Sequence, residues 1–262
     1  ERAQRKGADI VLVMDTSLSM AAADMQPNRL TAAKLAAINL VNRLPNDRFG
    51  LIVFSGDAHL YCPITIDHDA VQMFVDSVEV GASPQPGTSL AAALQSAGEA
   101  LGNSESKHRA IVVLSDGEDL AGQMLEAAGR VVRETAARIE VLGFGSPQGE
   151  PIPIKDEQGN VRGFKTDEKG QTVMSKLGEE GLQQLATVGK GMYFRAMTQG
   201  ATDELAGRLE AMEGSQVGMM LYTDYGERFQ WPLGLALVLL ALEAVLPERV
   251  RRRRQEAAHE QG

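Results

Sequence analysis

Short, almost uninterrupted apolar runs alternate along most of this chain with stretches of helical periodicity. Residues 9–14 (DIVLVM), 49–54 (FGLIVF), 110–114 (AIVVL) and 140–144 (EVLGF) are runs of the first kind. Such runs read as strands buried on both faces, which a parallel sheet covered by two helical layers requires. Residues 28–44 place Leu30, Ala33, Leu35, Ile38, Leu40 and Val41 at helical spacing and stop before Pro45, the pattern of an amphipathic helix with a proline stop. The same reading predicts helices over 70–77, 89–101, 120–138, 179–188 and 202–212. It adds a short strand over 192–195 and an antiparallel neighbour over 58–61, turned at Gly56-Asp57. Strand and helix in alternation give a doubly wound α/β fold with a mostly parallel sheet and helices on both faces.

Two stretches break the alternation. Residues 146–176 are polar and Gly-rich, with turn signals at Gln158-Gly159-Asn160 and Glu168-Lys169-Gly170. They read as one or two β-hairpins inserted before the helix at Glu179. Residues 231–246 (WPLGLALVLLALEAVL) are apolar except for Glu243. Counted from Phe229 the run just reaches the roughly 17 to 20 residues that span a bilayer. Phe229 and Trp231 stand where an aromatic belt would, and Arg249 with Arg251 to Arg254 would stop the span on the cytoplasmic side. The predicted organisation is a flank at 1–7, a domain at 8–213, a linker at 214–228, a transmembrane helix at 229–247 and a basic tail at 248–262.

Composition narrows the function. Net charge is −9 over 262 residues, and the charge of the body is acidic, which argues against a nucleic-acid partner. One cysteine, Cys62, leaves no internal disulfide. The chain starts with Glu1 rather than Met, so a processed or truncated chain with upstream sequence is expected.

The candidate chemistry lies at the ends of strands, where open parallel sheets bind ligands. Asp15-Thr16-Ser17-Leu18-Ser19 follows the first strand, and the alternation of Ser17 and Ser19 lets both hydroxyls face one point. Ser115-Asp116-Gly117 follows the strand over 110–114 and brings a second carboxylate to the same edge. Thr88 stands at the start of the helix over 89–101. Asp15, Ser17, Ser19, Thr88 and Asp116 are all hard oxygen donors, suited to Mg²⁺, with Mn²⁺ or Ca²⁺ possible, and poorly suited to Zn²⁺.

These residues resemble the metal-ion-dependent adhesion site of von Willebrand factor A domains. Asp15 to Ser19 match the DxSxS motif, with Thr88 and Asp116 where that family places its other Thr and Asp. The resemblance covers about residues 8–212. It implies direct metal contacts from Ser17, Ser19 and Thr88, and contacts through water from Asp15 and Asp116. A narrower resemblance is to the membrane-anchored Bat aerotolerance-type proteins of bacteria. It is carried by MAAADMQPNRLTAAK (20–34), the insertion over 149–175, GKGMYF (189–194) and YGERF (225–229). It implies a MoxR-type AAA+ ATPase and other Bat proteins as partners.

The arginine tail predicts a cytoplasmic C-terminus, hence a single-pass bacterial inner-membrane protein with an extracytoplasmic domain. Arg2, Arg5 and Lys6 pull the other way if a span lies upstream, and an extracytoplasmic domain sits awkwardly with a cytoplasmic ATPase. The expected function is a membrane-tethered binding module, not an enzyme, whose cation is completed by an Asp or Glu of a protein partner. The alternatives are a Mg²⁺-dependent phosphatase-like enzyme and a chelatase-type subunit working with an AAA+ motor.

Overall fold

The structure is a computed structural model that describes residues 7–81, 89–102, 104, 106–118, 123–156, 158, 160–214 and 239–240. The chain divides into two units, Glu1–Val217 and Gly218–Gly262. In the second unit Leu239 and Leu240 are helical and exposed. Apart from these two and Gly214, the expected linker, membrane helix and basic tail lie outside the described residues. Among the described residues no helix is long and apolar enough to cross a membrane.

The first unit holds six sheet strands: β1 (Asp9–Asp15), β2 (Arg48–Phe54), β3 (Ala58–Thr65), β4 (Arg109–Ser115), β5 (Arg138–Gly143) and, after the short strands of the insertion, β10 (Lys190–Arg195). Their order is β10-β5-β4-β1-β2-β3. All neighbours are parallel except β3, which turns back antiparallel on β2. Chain order reverses at β1, whose neighbours are β2 on one side and β4 on the other. A crevice opens at such a switch point, beyond the carboxyl ends of the strands.

Alternation along the strands feeds two cores. Ile10, Leu12 and Met14 of β1 face the layer of α1 (Arg29–Arg43), α2 (His68–Ser77) and α6 (Ala201–Gly214). Val11 and Val13 face α3 (Leu90–Gly102), α4 (Gln123–Thr135) and α5 (Glu179–Val188). Every residue of β1 is buried. The continuous apolar run thus reflects a strand covered on both faces. Helix α1 is capped by Asn28, whose side chain accepts from the Thr31 amide at 2.8 Å, a contact worth about 1 kcal/mol.

Three of the expected boundaries are corrected. The helix expected over 120–138 ends at Thr135, because Ala136 turns left-handed (φ 56°) and Arg138 already belongs to β5. The strand expected to end at Phe144 ends at Gly143. The antiparallel partner of β2 is twice the expected length and runs to Thr65. The insertion is a nested pair of hairpins. β6 (Glu150–Pro151) and β9 (Met174–Ser175) close its base. Inside them β7 (Pro153–Lys155) pairs with β8 (Val161–Phe164), and Thr166 bridges Thr172.

Two glycines fasten the β4 exit loop to the start of α5. Gly117 has φ 69°, and a Cβ there would lie 2.7 Å from Leu182 Cγ. A Cβ on Gly178 would lie 2.0 Å from the Gly117 carbonyl oxygen, and the Gly178 amide donates to the Asp116 carbonyl at 2.8 Å. Gly178→Ala is therefore expected to destabilise the protein by about 2–3 kcal/mol. Gly163→Ala, with nothing within 4 Å of the added atom, should change stability by less than about 0.5 kcal/mol. Urea denaturation of the two variants checks both.

Candidate metal centre

Four of the five expected donors meet at the carboxyl edge of β1 and β4. Parallel pairing sets Asp15 at the end of β1 opposite Phe54, while β4 ends one residue before Asp116. Asp15 and Asp116 are both completely buried. Asp15 Oδ1 accepts from the Ser17 amide (2.9 Å) and Oδ2 from the Ser115 hydroxyl (2.6 Å). The Ser17 and Ser19 hydroxyls, on either side of the half-exposed Leu18, lie 2.9 Å apart and hydrogen-bond to each other. The alternation in the motif works because Ser19 sits in a single 3₁₀ turn, Leu18–Ala21. Thr16 points elsewhere, and its hydroxyl donates to the Phe54 carbonyl at 2.9 Å.

Thr88 lies outside the described residues. Its neighbour Ser89 has its amide on the Ser55 carbonyl (2.6 Å) just past β2, and the Gly81 amide binds the Thr16 carbonyl (2.7 Å).

The electrostatics are those of two like charges taken out of water. Burial, reinforced by the charge of Asp116, pushes the Asp15 carboxyl up to about 7, against the lowering effect of its bonds to Ser115 and Ser17. A buried carboxylate in this state gains when a cation arrives. Among the described residues no three His, Cys, Asp or Glu side chains converge. A cation here would thus be held by two carboxylates and by hydroxyls. That hard-oxygen set fits Mg²⁺ or Ca²⁺ and does not resemble a zinc site.

Sequence reading missed the third charged group. Arg29, the first residue of α1, is fully buried, and its Nη1 donates to Asp116 Oδ2 at 2.9 Å. Its other carboxylate partner is Asp24, bound by Nε (2.8 Å) and Nη2 (2.7 Å). Burial works against the Arg29 cation, but its bonds and charge contacts with Asp24 and Asp116 outweigh that and raise its pKa. The Asp24 carboxyl also feels burial, yet Arg29 and the Ser146 amide hold it below its usual range. One of the two carboxylates at the site is thus shared with a guanidinium. A signal did exist: a cation in the first turn of a helix opposes the helix dipole, so Arg29 had to be there for another reason. Asp156 closes the β7–β8 turn, accepting from the Gln158 and Asn160 amides and, at 2.7 Å, from Arg162 Nε.

The raised Asp15 carboxyl makes stability depend on pH. Between the ordinary carboxylate value of 3.8 and about 7, the folded state keeps a proton that the unfolded chain has released. Stability of the metal-free protein is then expected to fall as pH rises through that window. Thermal melts in EDTA from pH 4 to 8 would check this, and Asp15→Asn should flatten that part of the profile.

The family model described as von Willebrand factor type A domain matches residues 10–118, which hold all five candidate donors. BatB from Bacteroides thetaiotaomicron superposes with a TM-score of 0.74 at 34% identity, covering 80% of this chain and 100% of that one. An aerotolerance-related membrane protein from Bacteroides fragilis NCTC 9343 does so with a TM-score of 0.71 at 33% identity, covering 79% of this chain and 99% of that one. The UPF0353 protein of Nocardia farcinica is 27% identical over 96% of this chain and 75% of its own length. The UPF0353 protein of Mycolicibacterium paratuberculosis is 30% identical over 72% of this chain, which spans only 55% of that relative. Fold, motif order and these likenesses agree: the chain belongs to the von Willebrand factor type A domain family, among the Bat-type aerotolerance-related proteins.

Proposed function

We propose that this chain is a metal-dependent protein-binding module and not an enzyme. Ser17, Ser19 and Thr88 would hold Mg²⁺ directly, and Asp15 and Asp116 would hold it through water. The observation that carries this reading is the Ser17–Ser19 hydroxyl pair lying 2.9 Å apart beside two buried carboxylates. Each carboxylate already accepts two hydrogen bonds, so second-sphere roles suit them better than direct ligation. Among the described residues no base is bonded to either serine hydroxyl, which favours coordination over covalent chemistry. Bound there, the cation supplies a hard Lewis-acidic point that a carboxylate from a partner can complete.

The partner is read as a protein presenting an Asp or Glu. Candidates are other Bat-type proteins and, from the family resemblance, a MoxR-type AAA+ ATPase. Tethering to the bacterial inner membrane through residues 229–247, with the domain outside the cytoplasm, is part of the same proposal. It draws support from the apolar run and its arginine tail, and from the Bacteroides fragilis relative being described as a membrane protein.

Calorimetric titration of the purified chain with Mg²⁺ is expected to show one site, and Asp15→Ala should weaken it by at least about tenfold, the loss of one charge-assisted contact. Crosslinking in membranes should then capture a protein partner that is lost in EDTA and in Asp15→Ala. Capture that survives both treatments would sink the docking reading. Phosphatase turnover with Mg²⁺ that disappears in Asp15→Asn would replace it with the enzyme.

A further inference from the structure

Arg29 uses all five of its N–H donors. Nε and Nη2 grip Asp24 side-on at 2.8 and 2.7 Å. Nη1 bonds Asp116 Oδ2 at 2.9 Å and the Ser175 hydroxyl at 2.6 Å. Nη2 also bonds the Ser175 carbonyl at 3.1 Å. The guanidinium lies against Gly145, where an added Cβ would stand 2.8 Å from Cζ. Asp24 Oδ2 in turn accepts from the Ser146 amide at 2.7 Å, and the Leu177 amide donates to the Ser146 carbonyl at 3.1 Å.

The connectivity of this node matters more than its charge. Ser175 lies in β9, the strand that closes the base of the inserted hairpins by pairing with Glu150 and Pro151. Asp116 belongs to the candidate cation site. The same guanidinium nitrogen bonds both, so the insertion and the site share one rigid, planar group. We propose that Arg29 is the positioning residue of the cation site and that, through Ser175, the seating of the inserted hairpins sets the cation affinity. This rests on the metal-binding reading above.

The physical argument has two parts. Arg29 fixes which oxygen of Asp116 is turned toward the guanidinium, since Oδ1 is held separately by the Glu118 amide at 3.0 Å. The orientation of the carboxylate is then set before any ion arrives, which is the part that groups behind a metal's ligands play. Lysine cannot replace it, because one ammonium with three donors cannot bind Asp24 side-on while reaching Asp116 and both Ser175 oxygens. Coupling through a shared group is also reciprocal. If Ser175 tunes the ion, the ion must steady Ser175.

The experiment uses the full chain with Mg²⁺ alone as the probe. Arg29→Lys is expected to weaken Mg²⁺ binding by about 10- to 100-fold, as loss of such a supporting group does. Ser175→Ala, which removes a single acceptor and leaves the backbone bond, should weaken it by about 5-fold. In the wild type, Mg²⁺ should slow amide hydrogen exchange over residues 174–178. A purely structural role would lower the melting temperature of these variants and leave their Mg²⁺ affinity unmoved. Should Arg29→Lys fail to fold, Ser175→Ala and the exchange data decide. Wild-type Mg²⁺ affinity in Ser175→Ala, or unchanged exchange at 174–178, overturns the inference while leaving the metal site standing. No Mg²⁺ binding by the wild type overturns the metal site itself.

Discussion

Two carboxylates, Asp15 and Asp116, are buried beside each other at the ends of neighbouring parallel strands, and the surrounding structure answers that cost. Buried charge is expensive unless it is paired and hydrogen-bonded. Asp15 is met by the Ser115 hydroxyl and the Ser17 amide, and Asp116 by Arg29 and the Glu118 amide. The two are treated unequally. Asp116 shares a guanidinium with Asp24, while Asp15 has only neutral donors and carries the upward pKa shift. With Asp15, Asp116 and Asp24 all ionised against one guanidinium, the cluster is two positive charges short of balance, which the proposed divalent cation would supply.

The fold makes this possible by bringing two strand ends together at the switch point. β1 and β4 are parallel neighbours covered by α1, α2 and α6 on one face and by α3, α4 and α5 on the other. Their exit loops are therefore forced into the same crevice. The Gly117–Gly178 crossing then packs the loop that leaves Asp116 closely against the start of α5, which a side chain on either residue would prevent. The likeness to the Bacteroides proteins covers 80% and 79% of this chain. The Ser17 and Ser19 hydroxyls face each other, and among the described residues no base is bonded to them, which is what favours the proposed docking role over catalysis.

Much of this was legible in the sequence. The buried strands announced themselves as runs such as DIVLVM, since a strand covered on both faces has no polar positions to interrupt it. The helix from Arg29 to Arg43 carried both its apolar stripe and its Asn28 cap. The convergence of Asp15, Ser17, Ser19 and Asp116 could be read because the first three are close in sequence and Asp116 follows a strand of the same kind. Boundaries fared worse where a single backbone conformation decides them. The helical pattern runs on past Thr135, and only the left-handed turn at Ala136 ends it. The insertion betrayed its turns but not its nesting, because pairing between β6 and β9 is made across more than twenty intervening residues.

What the sequence determined by itself was the alternation of elements, the class of the sheet and the oxygen-rich donor set, because these follow from local periodicity and from residues adjacent to strand ends. What only the tertiary structure decided was the role of Arg29. Its partners Asp116 and Ser175 stand 87 and 146 residues away, and the unfavourable place of a cation at a helix start marks Arg29 as unusual without naming either partner. Folding brings those three segments to one point, where the five donors of Arg29 meet two carboxylates and both oxygens of Ser175. Long-range electrostatics of that kind is written in the packing of the elements, not in their order.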